Sequence, residues 1–244
     1  MRISIKRVSA LALMFAILAV GPAGKGLAQS RSTARPVVVE LFTSQGCSSC
    51  PPADELLGDL ARLPNVIALA FHVDYWDSIG WRDRFSIPEA VPRQLRYVDT
   101  LGLSSAFTPQ VVIDGRGSFV GSDRRRIVAA LAETLDTVPI EADVANGELT
   151  VTLPERRDRN GYDVNLVAYL PEASTAVGRG ENSGRTLAEF NIVRQFRRLG
   201  VWDGDKSTLR VPLDSFPTEA TRVAVLLQRS QQGPIAGSVI ADLR

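Results

Sequence analysis

Cys47 and Cys50 are the only cysteines of the 244-residue chain, and Ser48-Ser49 separate them. Two thiols at this spacing can make and break a disulfide within one turn of chain. That chemistry needs one sulfur that is a thiolate at working pH and a second that resolves the mixed disulfide. A purely structural bridge is the weaker reading, because so small a loop restricts the unfolded chain little. A structural zinc site needs four ligands, usually Cys and His. The chain offers these two cysteines and a single histidine, His72. The pair is read as redox-capable.

Positioning such a pair requires a strand that ends before it and a helix that begins behind it. The apolar run Val37 to Phe42, broken only by Glu40, predicts a buried parallel strand. Pro51-Pro52 fit only the first turn of a helix, and Leu56, Leu57, Leu60 and Leu63 recur at helical spacing. A helix N-terminus there would favour a Cys47 thiolate through unpaired N–H groups and the dipole, with Cys50 more buried and acting second. Val66 to Val73 is a second strand. A helix over Pro92 to Leu101 follows, with Leu95, Val98 and Leu101 on one face. Thr108-Pro109 opens a strand that closes on the hairpin connection Asp114-Gly115-Arg116, with Gly117 to Gly121 as its partner. Ser122 or Asp123 caps a last helix carrying Ile127, Val128, Leu131 and Leu135. The order β-α-β-α-β-β-α, over residues 36–138, is that of an α/β thioredoxin-like domain.

Past Val138-Pro139 the period changes to alternation. Asn146-Gly147 between two alternating runs is a strong hairpin signal. Further strand-like runs lie at 162–170, 187–193, 208–213, 222–228 and 235–241, with one helix-like period around Phe190 to Leu199. These predict a mostly-β, sandwich-like second domain over residues 139–244. Glu181 to Arg185 reads as a turn holding Arg185 against a carboxylate, without a catalytic role. Trp202 to Asp205 reads as a hairpin turn.

The N-terminus predicts export. Arg2, Lys6 and Arg7 precede the apolar stretch Val8 to Val20, Pro22 breaks it, and a cleavage site follows at Ala28, so residues 1–28 read as a signal peptide. The stretch is short of the roughly 20 residues that span a bilayer. Its removal takes four of the 28 basic residues and none of the 27 acidic ones, leaving a balance of −3, and takes both methionines. A near-neutral chain without a basic run argues against nucleic acid or an anionic membrane as partner. The expected location is periplasmic or secreted, with no cofactor.

Several motifs together resemble a known family. Val39-Glu40-Leu41-Phe42 before Cys47 is similar to the thioredoxin strand that carries a buried acid, and Thr108-Pro109 with Gln110 to Gly115 is similar to the cis-proline loop and its hairpin. Cys47 to Pro52, His72-Val73-Asp74-Tyr75-Trp76-Asp77, Thr108-Pro109-Gln110 and Gly180 to Leu187 resemble an exported bacterial family known as a domain of unknown function with a thioredoxin-like fold. The resemblance implies a thiol–disulfide oxidoreductase acting on protein thiols or disulfides, with a redox partner protein. It implies Cys47 as nucleophile, Cys50 as resolving thiol, a cis Pro109 shaping the substrate groove beside Thr108, and Glu40 as acceptor of the Cys50 proton. The alternative for Glu40 is an edge carboxylate, exposed or paired with an arginine. Thioredoxins often carry a lysine on the neighbouring strand, where Ala70 stands here. Tyr75, Trp76, Trp81 and Phe85 read either as an apolar lip for a polypeptide or as packing against the second domain. A copper-delivery alternative would use Cys47, Cys50 and His72, although copper carriers of this superfamily usually have three residues between their cysteines. A non-catalytic binding module is the third reading, and a core histidine the alternative for His72.

Overall fold

The computed structural model describes residues 35–133, 137–156 and 161–244. The signal-peptide expectation for 1–28 and the helix position Leu135 lie outside the described residues. Strand β1 (Val37–Thr43) leads through the cysteine loop into helix α1 (Pro51–Ala61), and β2 (Val66–His72) returns parallel to β1 in the register Val37↔Val66 to Thr43↔His72. Both strands are buried along their whole length, as unbroken apolar runs demand. After helix α2 (Ala90–Thr100), β3 (Gln110–Ile113) pairs antiparallel with β1, and β4 (Gly117–Val120) folds back on β3 ahead of helix α3 (Arg124–Leu131). The Asp123 side chain caps α3 by accepting from the Arg126 N–H.

The remaining strands are β5 (Glu141–Ala145), β6 (Glu148–Leu153), β7 (Tyr162–Ala176), β8 (Thr186–Trp202), β9 (Ser207–Pro212), β10 (Arg222–Arg229) and β11 (Ile235–Asp242). They correct the two-domain expectation. One eight-stranded sheet runs β11-β10-β7-β8-β2-β1-β3-β4, so it crosses position 138 without a break. The junction is narrow: β8 meets β2 in parallel at Ala70↔Ile192, and the Asn191 carboxamide donates to the Ala68 carbonyl beside it. The described residues form one compact unit. The physical reason is the open edge of β2, which the third and fourth strands leave bare on that side and which β8 covers. A three-stranded sheet, β5-β6-β9, packs through Leu149, Val151 and Val211 onto Val164, Leu166, Val223 and Val225 of the large sheet. The sandwich-like pattern therefore exists, but it shares its larger sheet with the α/β half.

Two further predictions change. Residues 190–199 are strand, not helix, because β8 is a 17-residue strand whose alternation is disturbed by register shifts against β7. Trp202 to Asp205 carries the chain from the large sheet to the small one rather than closing a hairpin. The buried face of α2 is Ala90, Arg93, Gln94 and Tyr97, while Leu95 is 49% exposed. That polar face sits on a core in which Val38, Phe42 and Phe71 join Val167, Val193 and Ala224. Among the described residues, no helix is long and apolar enough to cross a membrane.

Candidate functional site

The loop between β1 and α1 holds Cys47 and Cys50 joined as a disulfide, both fully buried, while Ser48 and Ser49 between them are exposed. The loop's amides are nearly all committed. The Cys47 N–H donates to the Ser44 carbonyl, the Cys50 N–H to Cys47, and the Ala53 and Asp54 N–H groups to Cys50. Pro51 and Pro52 have no N–H. The expected surplus of helix-end donors for a Cys47 thiolate is therefore smaller than the motif implies. The Ser49 hydroxyl lies 3.3 Å from the Cys47 sulfur.

Thr108–Pro109 is a cis peptide bond at the entrance to β3. Pro109 is buried next to Ala53 of α1: a Cβ built on Gly121 would lie 2.9 Å from the Cβ atoms of both. Gly121 thus lets the proline loop close on the helix that begins at the cysteines. Gly121→Ala is expected to cost about 1–3 kcal/mol through overpacking, read as a lowered melting temperature. An unchanged melting temperature would show that this contact can relax.

The profile described as "Protein of unknown function (DUF1223)" matches residues 38–228, well over half of the chain and including all of these groups. The chain belongs to the DUF1223 family. A crystal structure of protein AGR_C_4864 from Agrobacterium tumefaciens is similar over 88% of this chain and 97% of that one, at 30% identity and a TM-score of 0.76. HBP35 of Porphyromonas gingivalis shares the fold at 16% identity and a TM-score of 0.58, over 86% of this chain and 75% of that one. A comparison with curated proteins gives no match.

In this DUF1223 chain Glu40 is buried, but on the face of the sheet opposite α1, alongside Val38 and Phe42. Arg93 of α2 donates to it from Nε at 2.6 Å, and the Tyr97 hydroxyl also donates to it. The arginine pairing is present, but on an internal strand at zero exposure rather than at an edge, and on the face away from α1. Strand alternation is the reason: Val39, Leu41 and Thr43 face α1, and Glu40 cannot.

The carboxyl on the cysteine side is Asp54, one turn into α1 from Cys50. It is 8% exposed, accepts from the Thr43 hydroxyl at 2.8 Å, and burial pushes its pKa up to about 7 against the opposing pull of His72. Sequence reading passed over it as a helix position. An acid at the first turn behind a cysteine was the available signal.

His72 shares this face. Its Nδ1 is 2.8 Å from Asp83 Oδ2, and its Nε2 is buried without a hydrogen-bond partner. Burial lowers its pKa, but Asp83, with Glu189 and Asp54 behind it, offsets this and the net direction is upward. Glu189 of β8 completes the group, accepting from Gln45 Nε2 at 2.7 Å and from the Thr175 hydroxyl at 2.8 Å, with its carboxyl raised by burial. Among the described residues no three potential ligands are grouped to hold a metal, so the structure does not bring Cys47, Cys50 and His72 together as the copper alternative requires.

The aromatic segment divides. Trp76 Nε1 donates to the Thr108 hydroxyl at 2.8 Å, and the half-exposed Tyr75 donates its hydroxyl to Gln94, which in turn bonds the Phe107 carbonyl, so both stay near the proline loop. Trp81 Nε1 donates to Gln45 Oε1 at 2.9 Å and backs Gly180, while Phe85 is buried edge-on to His72. These two pack the site from behind rather than forming a lip.

The turn at 177–185 is the element the sequence undervalued. It is the tip of the β7–β8 hairpin and lies against the cysteine loop. The buried Asn182 carboxamide donates to the carbonyls of Gln45 (3.0 Å) and Cys47 (2.9 Å), and Glu181 Oε2 accepts from the Ser48 N–H at 3.1 Å. Arg185 donates to Asn182 Oδ1 at 3.0 Å, an amide and not the expected carboxylate. A cleft of about 360 Å³ beside the tip is lined by Pro51, Asp54, Glu55, Arg185 and Leu187.

Proposed function

We propose that this chain is an exported thiol–disulfide oxidoreductase acting on protein cysteines. The observation that carries the reading is the Cys47–Cys50 disulfide at the start of α1, with the cis Thr108–Pro109 loop packed on the same helix. The strand order β2-β1-β3-β4 with α1, α2 and α3 in their places supports a thioredoxin-like reading of this half. Export rests on the charge and apolar pattern of residues 1–28.

In the reductive direction the Cys47 thiolate attacks a substrate disulfide, forming a Cys47–substrate bond and releasing one substrate thiolate. Cys50 loses its proton and attacks the Cys47 sulfur. The second substrate sulfur leaves, and the Cys47–Cys50 disulfide remains, to be reduced by a partner dithiol. Donation of a disulfide runs the same bonds backwards. Asp54, one turn into α1 from Cys50 and titrating at about 7, has a proton affinity suited to exchanging a proton with a thiol. Thr108, Tyr75 and Trp76 offer the surface on which a polypeptide would lie, and no metal or cofactor takes part.

The test is equilibration of the full chain in glutathione buffers, with the dithiol fraction read by alkylation and mass. A reversible two-electron transition is expected. Cys50→Ser is expected to accumulate a mixed disulfide through Cys47, and Cys47→Ser is not. A pair that stays oxidised below about −300 mV, the range of structural disulfides, would falsify the reading.

A further inference from the structure

The contacts of the β7–β8 tip fall on the cysteine loop's backbone, and this placement has chemical content. Of the amides near the sulfurs, those of Cys47, Cys50, Ala53 and Asp54 are bonded to carbonyls of the same loop, and two positions are proline. Ser48 and Ser49, which directly follow Cys47, carry the remaining amides of the loop. Glu181 takes the Ser48 N–H with an anionic oxygen. A carboxylate at this place acts twice: it occupies a donor that a thiolate would use, and it repels the thiolate directly. Contact with Ser48 holds the Glu181 carboxyl below its usual range, so the charge is present at neutral pH.

Glu181 is exposed, and it needs an anchor to stay in register. Asn182 supplies one, with its carboxamide 1% exposed and both N–H bonds directed at Gln45 and Cys47. Arg185 holds the amide oxygen, and Trp81 backs the tip at Gly180. Every part of this clamp lies more than 130 residues from the cysteines in sequence or in the loop after β2.

We propose that Glu181, anchored by Asn182, restrains the Cys47 thiolate, so that the pair rests in its less reactive form until a docking polypeptide displaces the tip. The proposal rests on reading the pair as redox-active. Charged groups on the surrounding elements include Asp54, Glu55 and Asp59 on α1, His72 on β2, Asp74, Asp77, Arg82, Asp83 and Arg84 in the loop after β2, Arg179 and Arg185 in the tip and Glu189 on β8, and all are kept unchanged in the comparison.

The experiment measures the iodoacetamide reactivity of Cys47 against pH in the full chain carrying Cys50→Ser, so that one thiol reports. Glu181→Gln is expected to lower the apparent Cys47 pKa by about 0.5–1 pH unit, less than a close buried charge gives because Glu181 is exposed. Asn182→Ala is expected to lower it in the same direction, and the double variant no further than the larger single change, since both act through one contact. Glu181→Asp, retaining the charge, is expected to restore most of the wild-type profile. A Glu181→Gln profile that overlays the wild type would overturn the proposal, and this exposed position decides the matter even if Asn182→Ala fails to fold. Equilibration of the same Glu181→Gln change in the two-cysteine chain with glutathione separates the two claims. An inert pair with a shifted Cys47 refutes the oxidoreductase reading, whereas an exchanging pair with an unshifted Cys47 refutes only the role of Glu181.

Discussion

Replacing Asp54 by asparagine is expected to stabilise the folded chain at pH 8 by about 2–4 kcal/mol and to leave it nearly unchanged at pH 4. The carboxyl titrates at about 7 in the folded chain and at about 3.9 when unfolded. Below pH 4 both states hold the proton, so the group does not discriminate between them. Between pH 4 and pH 7 the unfolded chain ionises and the folded one does not, so stability falls as pH rises through that window. Three pH units correspond to about 4 kcal/mol as an upper bound. Asparagine keeps an oxygen for the Thr43 hydroxyl and removes the buried charge.

His72 acts in the same sense. Its raised pKa gives stability that is complete below about 6.5, the unperturbed value, and is lost as pH rises through the folded value. The native chain should therefore be most stable on the acid side of neutrality. Urea denaturation at pH 4 and pH 8 measures both effects. An Asp54→Asn chain destabilised equally at the two pH values would show that its carboxyl serves packing alone.

Arg93→Ala is expected to cost about 3–5 kcal/mol, the range for stripping one partner from a buried ion pair. The guanidinium is 1% exposed and bonds Glu40 at 2.6 Å, the Tyr97 hydroxyl at 3.0 Å and Gln228 Oε1 at 3.1 Å. It also lies 4.5 Å above the Phe196 ring. Its removal leaves the Glu40 carboxylate at zero exposure beside the Tyr97 hydroxyl alone. Gln228 belongs to β10, so the loss loosens α2 from the far half of the sheet as well as from β1. Combining Arg93→Met with Glu40→Leu should recover much of the loss, since no charge is then stranded. A cost below about 1 kcal/mol for Arg93→Ala would show that water reaches Glu40.

The strands and helices up to residue 133 were legible because each is a local pattern: an apolar run ended by Pro51-Pro52, and a Thr-Pro entry closed by Asp-Gly. The joining of β8 to β2 was not legible. Its ladder is one residue pair, Ala70↔Ile192, with the Asn191 carboxamide beside it, and no local pattern records which edge a strand will cover. The same holds for the site. Cys47, Cys50 and Pro109 carry signatures in their neighbours. Asp54 and Asn182 acquire meaning only once α1 and the hairpin tip are placed. Glu40 shows the converse failure, since its distance from Cys47 was readable but the face it takes depends on a one-residue difference in alternation.

The bonds from the tip to Gln45, Cys47 and Ser48 span 133 to 137 residues of chain. Contacts so distant in sequence require the chain between them to be closed first, and they are slow to form. A newly made chain therefore carries its two thiols some time before it carries their cover. The cysteine loop passes through a stage of maturation in which its sulfurs are open to other thiols, and the seating of the hairpin tip ends it.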